Sequence, residues 1–557
     1  MVQTQLMDAR FAARALTKKT IGLAVSPSNP SDRPDLRLFD WLGKVFPVRF
    51  ETRSADELTA LDGVVYLGRN PSHAEPLSLP SLTFLGRTGP ESARAGTVVF
   101  GRDAALHQVL RGRSVEQLVS CQPEPLELDG SEVVLASFDG RPLWTARTAT
   151  AGRADVTAVR LPAIGRIESF FDSFNGNNFI NLLPLVEFIR RITGEDQWSP
   201  PPLRACFMFD DPSLHSTHYG FINYPEMARH AEQWNYHACF AMLPLDTWFT
   251  SRKAAQLFHE HKSRLSLLFH GNDHVKNELG SFASEEDAFS SLAQAWRRIV
   301  QFEKTTKLEV PRVMTAPFGV CAEGTMPVLA RLGFESAFIS HGSLHNRNPD
   351  CSWTPSLGLM IATIIGGFPV MPRFRFNNSG KNTILLAAYL GQPIIPLGHD
   401  QDMAGDLAVL ADLAQFTNSL GQVQWCDVSS ISRSNFLVRQ DGDLLRVRPY
   451  SQRFQVDLPA GMTGISVEPP EGAFPGVNLK INASSRSKPI FSGPPGGAVA
   501  VPAGSVLDIT LERGDMIDPD SIPDRGLSLF AFARRQLTEG RDRLKPWLHR
   551  LARNPSR

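Results

Sequence analysis

Three consecutive prolines at 200–202, in the stretch "EDQWSPPPL", divide a chain of 557 residues. Proline lacks the backbone N–H that helices and sheet interiors need, so a run of three ends whatever regular structure precedes it. The chain also exceeds the roughly 250–300 residues at which one hydrophobic core stops growing. Several domains are expected, with one boundary at the prolines.

On the N-terminal side, "TIGLAVS", "VRFETRS" and "GVVYLGR" alternate with amphipathic patterns such as "DLRLFDWLGKVF" and "ADELTAL". That is the rhythm of a parallel sheet covered by helices. Further on, "EVVLAS" and "RPLWTAR" flank the tight turn "FDGR", so the last strands should be antiparallel, ahead of a helix in "NFINLLPLVEFIRRITG". The order is similar to amidotransferase-like or flavodoxin-like domains. Cys121 lacks the flanking glycines of a nucleophile elbow, and no phosphate-binding loop is found. Residues 1–198 therefore read as an α/β scaffold or regulatory domain.

Residues 199–430 repeat the α/β rhythm, with apolar runs "RACFMF", "HACFAML", "LSLLFHG", "PRVMTAPFG", "SAFIS" and "QPIIPLGHD" that tend to end in polar residues. The carboxyl ends of such strands are where α/β sheets and barrels hold ligands. From 431 to 515 short alternating runs separated by Gly/Pro turns read as an antiparallel β-sandwich. Residues 516–557 read as a basic C-terminal tail in helical form.

The strand ends of the middle region carry Asp210 and Asp211, His270 and His274, and His399 and Asp400. Two imidazoles at i and i+4 would lie on one face of a helical turn, about 5–6 Å apart at Cβ, close enough to share a cation. One carboxylate added to them makes a His₂Asp set with a coordination position left open, as in catalytic rather than structural sites. The other carboxylate can then serve as a base. Either motif alone would read as surface structure; their succession on strand ends of one region carries the argument.

"FDDP", "HGNDH", "APFG" and "LGHD" resemble the successive motifs of the polysaccharide deacetylase family, over about 200–425. The resemblance implies a distorted (β/α) barrel of seven or so strands. It implies Asp210 as general base, Asp211, His270 and His274 as metal ligands, and His399 as general acid. Pro317, Phe318 and Leu397 fall at substrate-side positions, and "PDCSW", with Asp350 and Trp353, corresponds to a late-groove motif. Pro212 replaces a usual glycine, and Gly271 a usual Ser or Thr. Thr315 stands where an arginine would hold the base, so the tuning of Asp210 is left open.

The expected function is removal of acetyl groups from an N-acetylated sugar or polysaccharide by a divalent metal, Zn²⁺ first, with Co²⁺ or Ni²⁺ fitting the same ligands. The alternative is a catalytically degenerate barrel that binds carbohydrate or protein; a glycoside hydrolase would need a separate carboxylate pair. Lys plus Arg equals Asp plus Glu at 57 each, so nothing global points to nucleic acid. Six cysteines without a C-x-x-C, no signal-peptide pattern and no apolar run long enough to span a bilayer suggest a cytoplasmic protein. The basic tail reads first as a solvated helix and second as a membrane-surface or protein contact. His215 and His218 read as exposed loop histidines, His341 and His345 as structural or loop residues, and Trp248 and Phe249 as rim or core rings.

Overall fold

The computed structural model describes residues 18–25, 37–53, 60–68, 79–85, 93–121, 126, 128, 130–149, 152–162, 169–194, 198–354, 357–376, 380–483 and 488–553. The expected helix in "ADELTAL" lies mostly outside them.

Among the described residues the first region forms a nine-stranded sheet. Lys19–Val25 pairs in parallel with Val48–Thr52 and Gly63–Leu67, followed by Ser81–Phe84 and Gly152–Thr157. The order then turns antiparallel through Arg141–Ala149, Val133–Phe138, Arg94–Phe100 and Ser114–Val119. Asp139 and Gly140 take φ of 47° and 79°, the left-handed values that a two-residue hairpin needs. Helix Leu183–Thr193 buries Leu185, Phe188 and Ile189.

The middle region is a second nine-stranded sheet, parallel except where Thr363–Ile365 pairs with Phe368–Pro372. From that edge the order continues through Ser336–Ile339, Val313–Thr315, Leu265–His270, Ala238–Met242, Phe207–Asp210 and Pro396–Gly398 to Phe374–Arg375. Phe207, Met208 and Phe209 are all fully buried, because a parallel sheet covered on both faces wants continuous apolar strands. The edge strands Thr363–Ile365 and Phe374–Arg375 are not paired with each other. Yet Phe368–Pro372, beside Ser336–Ile339, and Phe374–Arg375, beside Pro396–Gly398, are separated by Arg373 alone, so the sheet curls until this one stretch of chain joins its two ends, and the strand ends converge on one side.

Beyond it, two four-stranded sheets share a core in which Val447 and Ile465 meet Val456, Ile481 and Ile509. Their pairing is antiparallel but for Leu444–Pro449 with Gly464–Val467. The strand between these two, Arg453–Asp457, belongs to the opposite sheet, so the chain returns in its original direction. This corrects the all-antiparallel expectation.

The C-terminal helix, Leu529–Arg553, packs its charged residues against the middle region, with Arg535 only 3% exposed. Of the expected tail, residues 529–553 form this helix, and its charge is not simply solvated. No helix among the described residues is long and apolar enough to cross a membrane.

Candidate metal centre

Asp210 ends the strand Phe207–Asp210, and Asp211 follows with φ of +78°. The left-handed turn breaks the alternation of the pleat, so both carboxylates line one cavity of about 130 Å³. A non-glycine residue in that conformation costs roughly 1–2 kcal/mol and persists only where its surroundings hold it. Here the Asp211 N–H donates to Ala241 O at 3.2 Å, while its carbonyl accepts from Arg535 Nη2 at 2.8 Å.

His270 closes the strand Leu265–His270 and is fully buried. Thr315 Oγ1 donates to Phe269 O at 3.1 Å and lies 2.9 Å from His270 Nδ1. With its own proton committed, the hydroxyl accepts from Nδ1–H, which leaves a lone pair on Nε2. That nitrogen is 3.4 Å from Asp211 Oδ1, and His274 Nε2 is 3.0 Å from the same oxygen. Ligand atoms of Asp211, His270 and His274 all lie within 4.8 Å of one another. Asp211 Oδ1 and His270 Nε2 are buried without a hydrogen-bond partner. Two facing lone-pair atoms repel unless a proton or cation stands between them, so this donor set fits a divalent ion of the zinc type.

The two histidines do not share a helical turn. Residues 271–274 form an irregular loop in which Gly271 and His274 have φ of 62° and 55°, and the rings still come within 5.3 Å. Glu278 pins this loop by accepting from the N–H groups of Asp273 (2.6 Å) and His274 (3.0 Å). Arg298 Nη1 adds contacts of 2.6 Å to Asn272 Oδ1 and Asp273 Oδ1. Gly271 is required where a Ser or Thr was expected, since a Cβ there would come within 2.4 Å of Pro317 Cγ and Glu278 Oε2.

Asp210 is buried, and Arg373 Nη1 lies 2.7 Å from its Oδ1. Burial pushes the Asp210 carboxyl up, but Arg373 and His270 outweigh it and hold the group below the usual carboxylate range. Burial likewise opposes ionisation of Asp211, and the two histidines carry it well below. The ion-pair partner missing at Thr315 thus comes from another strand end. Sequence reasoning missed Arg373, although a lone charge closing the apolar run "GGFPVMP" was the same kind of signal.

His399 follows the strand Pro396–Gly398 and lines the same cavity, as do Phe318 and Leu397. Ser340, Ser343 and Arg375 line it too and were not foreseen. Phe318 is 58% exposed, with its ring 4.8 Å from that of His274, at the mouth. Pro317 is buried beside Gly271 rather than on the cavity wall. Trp353 donates from Nε1 to Glu323 at 3.1 Å and does not line the cavity, and Asp350 is exposed. His215 is not an exposed loop residue: it is buried, 2.9 Å from Asp246 O and 3.5 Å from Glu539. His218 is exposed.

No protein-family model and no curated protein matches the chain. Among solved structures, it is similar to Agd3, described as a novel carbohydrate deacetylase, at 8% identity over 89% of this chain and 99% of that one, with a TM-score of 0.46. It is similar to a family 4 carbohydrate esterase from Streptomyces lividans in complex with acetate at 13% identity, over 40% of this chain and 90% of that one, TM-score 0.25. A CE4 family pseudoenzyme from Bacillus anthracis aligns at 10% identity over 40% and 64%, TM-score 0.26. Likenesses this distant do not bear on the chemistry, which stands on the geometry above.

Proposed function

We propose that the chain is a metal-dependent hydrolase that removes an acetyl group from an N-acetylated sugar or glycan. One observation carries the reading: Asp211, His270 and His274 converge with ligand spacing in the same cavity as Asp210, paired to Arg373, and His399. A divalent ion held by the three ligands would polarise the acyl oxygen and acidify a bound water.

The remaining work falls to the chain's own side chains. Asp210, kept ionised and oriented by Arg373, accepts the proton lost from the attacking water. His399 protonates the departing nitrogen, so that the amide C–N bond breaks as water's oxygen joins the acyl carbon, giving acetate and a free amine. A cavity of about 130 Å³ admits the acyl group and leaves the sugar ring at the mouth, beside exposed Phe318. Ser340, Ser343 and Arg375 offer hydrogen bonds to ring hydroxyls there.

The rival reading of a degenerate binding protein drew on Thr315. It loses that ground because Arg373 occupies the partner's role at Asp210 and Thr315 orients His270 instead. The test is zinc content per chain after reloading and dialysis, alongside acetate release from chitooligosaccharides. One equivalent in the parent, lost in Asp211→Ala and His270→Ala together with acetate release, supports the reading. A folded parent that retains no metal overturns it.

A further inference from the structure

The C-terminal helix is inside out. A helix on a globular protein ordinarily buries an apolar stripe and shows polar residues to water. This one is held by charges on its inner face: Arg535 lies 2.6 Å from Asp246, Glu539 3.0 Å from Ser213 Oγ, and Asp542 3.0 Å from Tyr219 Oη. Its outward residues are Leu529 (76% exposed), Phe530 (76%), Leu537 (78%), Leu544 (56%), Trp547 (56%) and Leu548 (55%).

At about 100° of rotation per residue these side chains fall in one sector about 100° wide, running some 30 Å along the axis. Arg541 flanks the sector on one side and Arg543 on the other, with side chains 64% and 50% exposed. Both acidic residues of the helix, Glu539 and Asp542, are buried at 6% and 4%, so the strongly exposed charges along the ridge are positive. Exposed Trp248 packs on Phe532 at 5.7 Å and, with Phe249, sets more apolar surface beside the first turn.

We propose that this ridge docks on an anionic lipid surface, the helix lying flat with its apolar sector at the level of the acyl chains. Leu, Phe and Trp on one face with arginines along its borders are what such a surface takes, the rings and leucines entering the interface and the guanidinium groups meeting lipid phosphates. A second copy fits less well. Phe530, Leu537 and Leu544 recur every seven residues, but pairing two such helices would bring arginine borders together with no exposed acid on either to answer them. Docking leaves the inner face untouched, where Arg535 bonds the main-chain carbonyl of Asp211, while Arg534, on the same border as Arg541, bonds that of His274. The inference does not depend on what the metal centre hydrolyses.

The test is flotation of the full chain with vesicles of phosphatidylcholine containing roughly 30% phosphatidylglycerol, and with phosphatidylcholine alone, at low and high salt. The parent should float with the anionic vesicles, at least about ten-fold less with neutral ones, and be released by salt. Leu537→Glu combined with Leu544→Glu should remain in solution with melting temperature and zinc content unchanged, which separates this outcome from failure of the metal site. Arg541→Glu should weaken binding by roughly five-fold or more. A parent that floats with neither vesicle, flotation that survives the double substitution, or a lipid-indifferent dimer that the double substitution makes monomeric would each overturn the proposal.

Discussion

Arg373 and Asp210 form an ion pair of 2.7 Å with both side chains nearly excluded from solvent, 3% and 7% exposed. Arg373 leads into Phe374–Arg375, and from there the sheet order runs through Pro396–Gly398 to Phe207–Asp210, so the pair spans one intervening strand. Removing one partner of a buried pair strands the other charge at a cost of about 3–5 kcal/mol. Arg373→Met should therefore lower stability in urea by that order. It should also raise the Asp210 pKa, moving the acid limb of the pH–rate profile to higher pH, since a base protonated more easily is lost at a higher pH. Arg373→Lys should recover part of both. An unchanged acid limb in Arg373→Met would separate Asp210 from the proton transfer.

Thr315 acts on His270 rather than on Asp210. Its hydroxyl accepts from His270 Nδ1–H at 2.9 Å, fixing the tautomer that presents Nε2. Thr315→Val keeps the shape and removes the acceptor. The expected result is roughly 10–100-fold weaker zinc binding, read by competition with a chromophoric chelator, with little change in overall fold.

Gly271→Ser would restore the residue type that the resembling motif carries, and should fail. The backbone sits at φ +62° and a Cβ would come within 2.4 Å of Pro317 and Glu278. Strain of this kind costs on the order of 1–3 kcal/mol before any clash is relieved. Chemical denaturation should show at least that loss, with zinc affinity falling as the loop carrying His274 shifts.

Much of this site was legible in the chain because its residues close apolar strands, a local pattern that survives without knowledge of the fold. Asp210, Asp211, His270 and His399 each follow a short buried run. Arg373 followed such a run too, but its importance depends on which strands lie opposite, and sheet order is not a local property. The helical turn expected for His270 and His274 failed because Gly271 opens a left-handed step that spacing alone cannot report. The C-terminal helix was visible as a helix. Which face it buries was not, because its charges find partners at Asp246, Ser213 and Tyr219, more than 280 residues away in the chain.

Those partners make the helix sensitive to acid. Glu539 accepts from Ser213 at 3.0 Å and pairs with Arg543 at 3.0 Å and His215 at 3.5 Å. Burial opposes its ionisation, but His215 and Arg535 prevail and bring its pKa down to about 2, from 4.5. A carboxyl whose folded value is depressed stabilises the folded state above its unfolded pKa, and that stability is lost as pH falls towards the folded value. The window is therefore pH 4.5 down to 2, and the amount is up to about 3 kcal/mol. The same contact raises His215, whose burial alone would lower it, so its share is present below pH 6.5 and fades as pH rises through the raised value. Glu539→Gln should flatten the acid side of the stability profile, measured by urea unfolding between pH 2 and 7. Because Arg535 holds the carbonyl of Asp211, zinc affinity should weaken in the same variant at neutral pH. A variant that keeps the parent's acid dependence would place the titrating group elsewhere.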